Sequence, residues 1–180
     1  MSSALLIIDV QQVLCTGPTA AFEVERVIGN INLVAQKARA AGAPVIVIQH
    51  ETLGGGEMDY GTDPWQLSPD LTTDDGDIFL RKRATDSFHQ TGLQELLQAR
   101  GIDRLIICGL QSDFCVDTTT RRALALGYPV ELVSDGHSTI DNAVLTAAQI
   151  SAHHNETLSN IDSFGPRARA VPANEVRIGA

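Results

Sequence analysis

Leu105–Gly127, LIICGLQSDFCVDTTTRRALALG, is the stretch whose reading decides the fold. Leu105–Cys108 is an unbroken apolar run of strand length, as expected for a strand buried on both faces. Gly109 closes it. A helix is predicted from about Asp113 to Leu126, with Gly127 as its stop. Val130–Val133 then reads as another strand. A short buried strand, an amphipathic helix and a second strand in this order indicate parallel pairing, with helices covering the sheet.

The same alternation extends in both directions. Ala4–Ile8 is an apolar run ending at Asp9. Val24, Val27, Ile28, Ile31, Val34, Ala35 and Ala38 recur at helical spacing, and Gly42 stops that helix. Val45–Ile48 and Ile78–Leu80 are further strands, the latter ending in Arg81-Lys82. Thr91 and Gln94 stand at the spacing of a capping box before Leu96 and Leu97. Asp141 is placed to cap a helix from Asn142 towards His154, and Ala168–Val171 reads as a short sixth strand. His50 to Gly76 has no period and contains Gly54-Gly55-Gly56 and two prolines; a loop this long is usually functional or mobile. The expectation is one α/β domain over residues 1–180, a doubly wound three-layer sandwich.

Composition narrows the function. Apolar residues make up 43% of the chain and aromatics only 4%, so the core must be built from Val, Ile, Leu and Ala. A formal net charge of −9 argues against nucleic acid, whose binding needs clustered Lys and Arg. No run approaches the roughly 20 apolar residues of a membrane span, and no basic leader precedes one, so a cytoplasmic protein is expected. Three cysteines without CxxC spacing suggest neither a disulfide framework nor structural zinc; Cys15 and Cys108 read as structural.

In a sheet of this kind the ligand site lies at the carboxyl ends of the strands, where strand order reverses. Asp9 follows the first strand, Lys82 the third, and Cys115 begins the helix after the fourth, so the three converge on one edge. A helix N-terminus and a neighbouring ammonium favour thiolate, which predicts a lowered pKa for Cys115. Asp9 can accept the thiol proton and return it to a leaving amine. Each residue also has an ordinary reading: a buried cysteine, a loop cap, a surface cation.

Asp9-Val10-Gln11, Lys82 and Gly109-Leu110-Gln111-Ser112-Asp113-Phe114-Cys115-Val116 together resemble the isochorismatase-like cysteine hydrolases, which are related to the nicotinamidases. The resemblance continues through Thr119, Arg121, Ala123, Leu126-Gly127-Tyr128, Val130, Asp135 and Pro172 to Val176. It implies a six-stranded parallel sheet in the order 3-2-1-4-5-6, an Asp9–Lys82–Cys115 triad and a cis peptide at Leu110–Gln111. It also implies an oxyanion hole formed by the N–H groups of Gln111 and Cys115. The implied activity is hydrolysis of a C–N bond in a small amide, ureide or similar molecule through a thioester.

The chain departs from the nicotinamidase pattern after the second strand. There the family's Asp-x-His metal motif is replaced by His50-Glu51-Thr52, so no metal and no cofactor are expected. Gln11, His50, Trp65 and Leu110 are candidate walls of the substrate pocket. Phe88 and His137 also lie near strand ends, and His153-His154-Asn155 near a helix end. Two other readings fit the same residues: a vinyl-ether hydrolase of the isochorismatase type, and a redox-sensing or interaction module without turnover. Members of the family commonly self-associate, which implies a homo-oligomer, a dimer or tetramer, with a small-molecule substrate.

Overall fold

Strands β1 (Ser3–Ile8), β2 (Val45–His50), β3 (Ile78–Lys82), β4 (Arg104–Leu110), β5 (Val130–Ser138) and β6 (Ala168–Val171) form one sheet in the order β3-β2-β1-β4-β5-β6. Every neighbouring pair is parallel. The structure is a computed structural model that describes residues 2–179.

Alternation along β1 explains the layers. Leu5 and Ile7 pack against one face with Val27, Ile28, Ile31, Val34, Ala35 and Ala38 of α2 (Val24–Ala40). Ala4, Leu6 and Ile8 face the opposite layer, formed by α3 (Leu93–Ala99), α4 (Asp117–Ala125) and α5 (Ala147–Ser159). β1 is buried along its whole length, as a central strand covered on both faces must be. β3, at the sheet edge, alternates instead: Phe79 and Arg81 are exposed, whereas Lys82 is buried.

Several elements differ from their sequence reading. β4 and β5 run to Leu110 and Ser138, beyond their apolar runs, because ladder pairing with neighbours continues past them. The helix expected from Asp113 starts with a wide turn, Ser112–Val116, closed by a bond from the Val116 N–H to the Gln111 carbonyl at 3.1 Å. Regular helix begins only at Asp117.

The Thr91/Gln94 capping box does not form. The Thr91 hydroxyl donates to the Ser87 carbonyl at 2.6 Å, and Gly92 occupies the N-cap. α5 starts at Ala147, not Asn142, because Thr146 and Gln149 make the capping box there. Asp141 still reaches it, accepting the Ala147 N–H at 2.8 Å.

A short helix α1 (Gln12–Cys15) went unread, as four residues carry no periodicity. The long loop folds over it: Gln12 and Val13 donate to the carbonyls of Gln66 and Pro64, and Gln11 bridges to Leu67. Among the described residues no helix is long and apolar enough to cross a membrane.

Candidate active site

Strand order reverses between β1 and β4, and the residues just past their carboxyl ends are Asp9 and Gln111–Cys115. Gly109 permits this. Its φ is 120°, and a Cβ at that position would lie 2.1 Å from the Ile8 carbonyl oxygen. Only a glycine lets the two strand ends come this close. Asp9 turns the chain out of β1 with φ 51°, a left-handed conformation that Asp tolerates better than most residues. Leu110 is fully buried in the α2-side layer, and the Leu110–Gln111 peptide is cis.

Lys82 ends β3 and points inward, 1% exposed. Its ammonium has four neighbours: Asp9 Oδ2 at 2.7 Å, the Ala84 carbonyl at 3.1 Å, Cys115 Sγ at 3.2 Å and His50 Nδ1 at 3.3 Å. The structure thus brings Asp9, Lys82 and Cys115 together and adds His50 beside them. Asp9 Oδ1, on the other side of the carboxylate, is buried and has no hydrogen-bond partner.

Asp9, His50 and Cys115 carry donor atoms within 4.8 Å of one another, the one such cluster among the described residues with the residue types of a metal site. The Lys82 ammonium touches all three, so a cation of the chain's own already serves this cluster.

Electrostatics corrects one expectation. The Cys115 thiol is pushed up to about 12, by burial first and by the Asp9 carboxylate next, and the opposing pull of Lys82 does not cancel them. The site therefore rests as a thiol, not the thiolate that a helix start suggested; burial outweighs the exposed-terminus effect. Burial alone would lower Lys82, but Asp9 and Cys115 more than offset it and hold the lysine above its ordinary value. His50 is lowered by burial and by Lys82, and so stays neutral near pH 7.

Gln11 is fully buried and acts as a clamp. It donates to the carbonyls of His50 (3.0 Å) and Trp65 (2.8 Å), and accepts the His50 N–H at 2.8 Å. Gln49 donates to the same Trp65 carbonyl at 3.1 Å. The Trp65 ring meets Tyr60 edge-on, 4.8 Å between centroids, and its buried indole N–H has no partner. Tyr60 in turn lies under Arg81 at 4.4 Å. Trp65 thus closes the long loop onto the ends of β1 and β2.

His137 does not reach Asp9, Lys82 or Cys115. Fully buried beneath them, it meets the Ser112 hydroxyl through Nδ1 at 2.8 Å and Asn155 Oδ1 through Nε2 at 2.9 Å. The Asn155 amide donates to the Ser134 carbonyl, so Oδ1 is the acceptor, the ring proton sits on Nε2 and Ser112 donates to Nδ1. This network fixes the first residue of the turn that carries Cys115. Sequence reading missed it because nothing in the spacing links Ser112, His137 and Asn155.

Phe88 is core, stacked on Tyr128 at 6.3 Å. A groove of 590 Å³ along the outer edge of β3 is lined by Glu51, Arg81, Lys82, Arg83 and His89 among others, but not by Asp9, His50 or Cys115. Its two arginines both pair with Glu51. Of the four side chains that meet at the site it shares Lys82 alone.

Residues 3–162 match the isochorismatase domain. A streptothricin hydrolase of Streptomyces noursei is 35% identical over 176 residues, covering 94% of this chain; the chain spans 64% of that protein's length. A ureidoacrylate amidohydrolase of Klebsiella pneumoniae is 29% identical, with 97% of this chain and 92% of that protein aligned. The solved structure of an isochorismatase from Pseudomonas putida KT2440 superposes with a TM-score of 0.89 at 32% identity, over 97% of this chain and 90% of that one. With its sheet order, strand-end geometry and domain match in agreement, the chain belongs to the isochorismatase family.

Proposed function

We propose that the protein hydrolyses a C–N bond in a small amide or ureide, with Cys115 as nucleophile, Asp9 as proton carrier and Lys82 as the cation that orders both. The observation that carries this reading is the buried Asp9–Lys82–Cys115 contact set at the switch point of the sheet. The activities for which the streptothricin hydrolase and the ureidoacrylate amidohydrolase are named agree with a hydrolase of this class.

The resting thiol dictates the order of events. Lys82 occupies Asp9 Oδ2, which leaves Oδ1 as the free base. As Sγ bonds to the carbonyl carbon, the thiol proton passes to Asp9. The resulting oxyanion is met by the N–H groups of Gln111 and Cys115, at the strand end and in the turn beyond it. Asp9 then gives its proton to the leaving nitrogen and the C–N bond breaks, leaving a thioester. Water attacks that carbonyl while Asp9 takes its proton; the C–S bond breaks and the sulfur regains its proton. Gln11 and Trp65 hold the pocket wall in place, and His50 faces the reacting groups from β2.

The test is a panel of small amides and N-carbamoyl compounds, read by ammonia or amine release. Hydrolysis that falls at least about 10³-fold in Cys115→Ala supports the reading, a loss of the size expected when a nucleophile is removed. Full activity in that variant contradicts it.

A further inference from the structure

The Lys82 ammonium has three protons and four acceptors around it. Asp9 Oδ2 at 2.7 Å and the Ala84 carbonyl at 3.1 Å are oxygen acceptors and take two of them. The third proton faces two acceptors at nearly equal range, Cys115 Sγ at 3.2 Å and His50 Nδ1 at 3.3 Å. One proton cannot serve both well.

His50 is held where this competition is fixed. It ends β2 in register with Lys82 on β3, and Gln11 clamps its peptide on both sides. An ammonium has no lone pair, so a hydrogen bond at this contact runs from Lys82 to an unprotonated Nδ1, in the tautomer whose ring proton is on Nε2; the Ala84 carbonyl also lies against the ring. The charged and titratable groups facing the ring are Asp9 from the end of β1, Lys82 from β3, Glu51 next in the chain and Cys115 from the turn after β4.

We propose that His50 is a positioning residue that competes with Cys115 for the third proton of Lys82, and so sets how readily the thiol ionises. A neutral thiol is a poor acceptor, so in the resting site the proton lies towards His50. When the thiol proton leaves for Asp9, the proton swings to the thiolate, which accepts it more strongly than imidazole. No bond to hydrogen breaks at nitrogen; the ammonium only rotates. His50 thus lowers the cost of keeping the thiol protonated between turnovers, and gives way as the nucleophile forms.

This inference builds on the reading of Cys115 as nucleophile, but its test needs no substrate, so either can fail without the other. Iodoacetamide alkylation of Cys115 is followed across pH by peptide mapping, which separates it from Cys15 and Cys108. His50→Leu removes the competing acceptor without adding a charge. It is expected to raise the alkylation rate about tenfold at a pH below the thiol pKa, the effect of one charged hydrogen bond redirected to sulfur. His50→Asn, whose amide oxygen can stand near the place of Nδ1, is expected to return the rate to within about twofold of wild type. In a Lys82→Met background, His50→Leu is expected to change the rate less than about twofold, because no shared proton remains.

The proposal is overturned if His50→Leu leaves the rate unchanged or slows it. It is equally overturned if the increase is the same with and without Lys82, which would mean that the smaller side chain merely opens access. Should Lys82→Met fail to fold, the contrast between His50→Leu and His50→Asn decides alone: equal rates in the two overturn it.

Discussion

Lys82 and Asp9 form an ion pair from which water is excluded, with side-chain exposures of 0% and 2%. Such a pair contributes little net stability, but removing one partner strands the other charge. Asp9→Asn and Lys82→Met are each expected to cost about 3 kcal/mol in urea unfolding. The double variant is expected to be no less stable than the worse single one, since no buried charge is left alone. Full additivity would contradict this. The same residues show what a sequence can and cannot convey. Asp9, Lys82 and Cys115 were legible as strand-end residues, because position after an apolar run depends on the order of elements alone. The state of the thiol was not, because burial at Cys115 comes from contacts distant in sequence and overrides the local influence of a helix start.

At the scale of elements, the approach of β4 to β1 decides whether the site exists. A Cβ at Gly109 would strike Ile8, its register partner, which immediately precedes Asp9. Gly109→Ala is expected to cost about 3 kcal/mol or more, through overlap with the Ile8 carbonyl and a side chain forced to φ 120°. Activity should fall further than stability explains, as the shift is passed to Asp9; a variant with wild-type thermal stability would contradict this. The chain order of strands and helices was readable from alternating apolar runs and glycine stops. Helix starts were less so: α3, α4 and α5 all begin later than their capping residues or spacing suggested. Capping side chains found other partners, as Thr91 did with Ser87, and the wide turn after β4 delays regular helix.

At the scale of the molecule, buried titratable groups bound the pH range of stability. His137 is fully buried and neutral, lowered to about 4 by desolvation, against about 6.5 in an unfolded chain. A depressed folded pKa contributes stability present above about pH 6.5 and lost as pH falls towards 4. Unfolding free energy is therefore expected to drop by about 3 kcal/mol over that window. In His137→Gln this part of the slope should vanish; an unchanged slope would contradict the assignment. The thiols act at the other end. Cys15 and Cys115 are both raised to about 12, so their contribution is complete below the ordinary thiol pKa and is lost as pH rises towards 12.

All three scales meet in one claim, that the sulfur of Cys115 takes the acyl group. The measurement that tests it most directly is acid quenching of the protein during turnover of an active amide or ureide, followed by peptide mass analysis. An acyl adduct is expected on the peptide containing Cys115, decaying with the turnover rate and missing in Cys115→Ser under the same quench. Turnover with no adduct on that peptide, undiminished in Cys115→Ala, would contradict it.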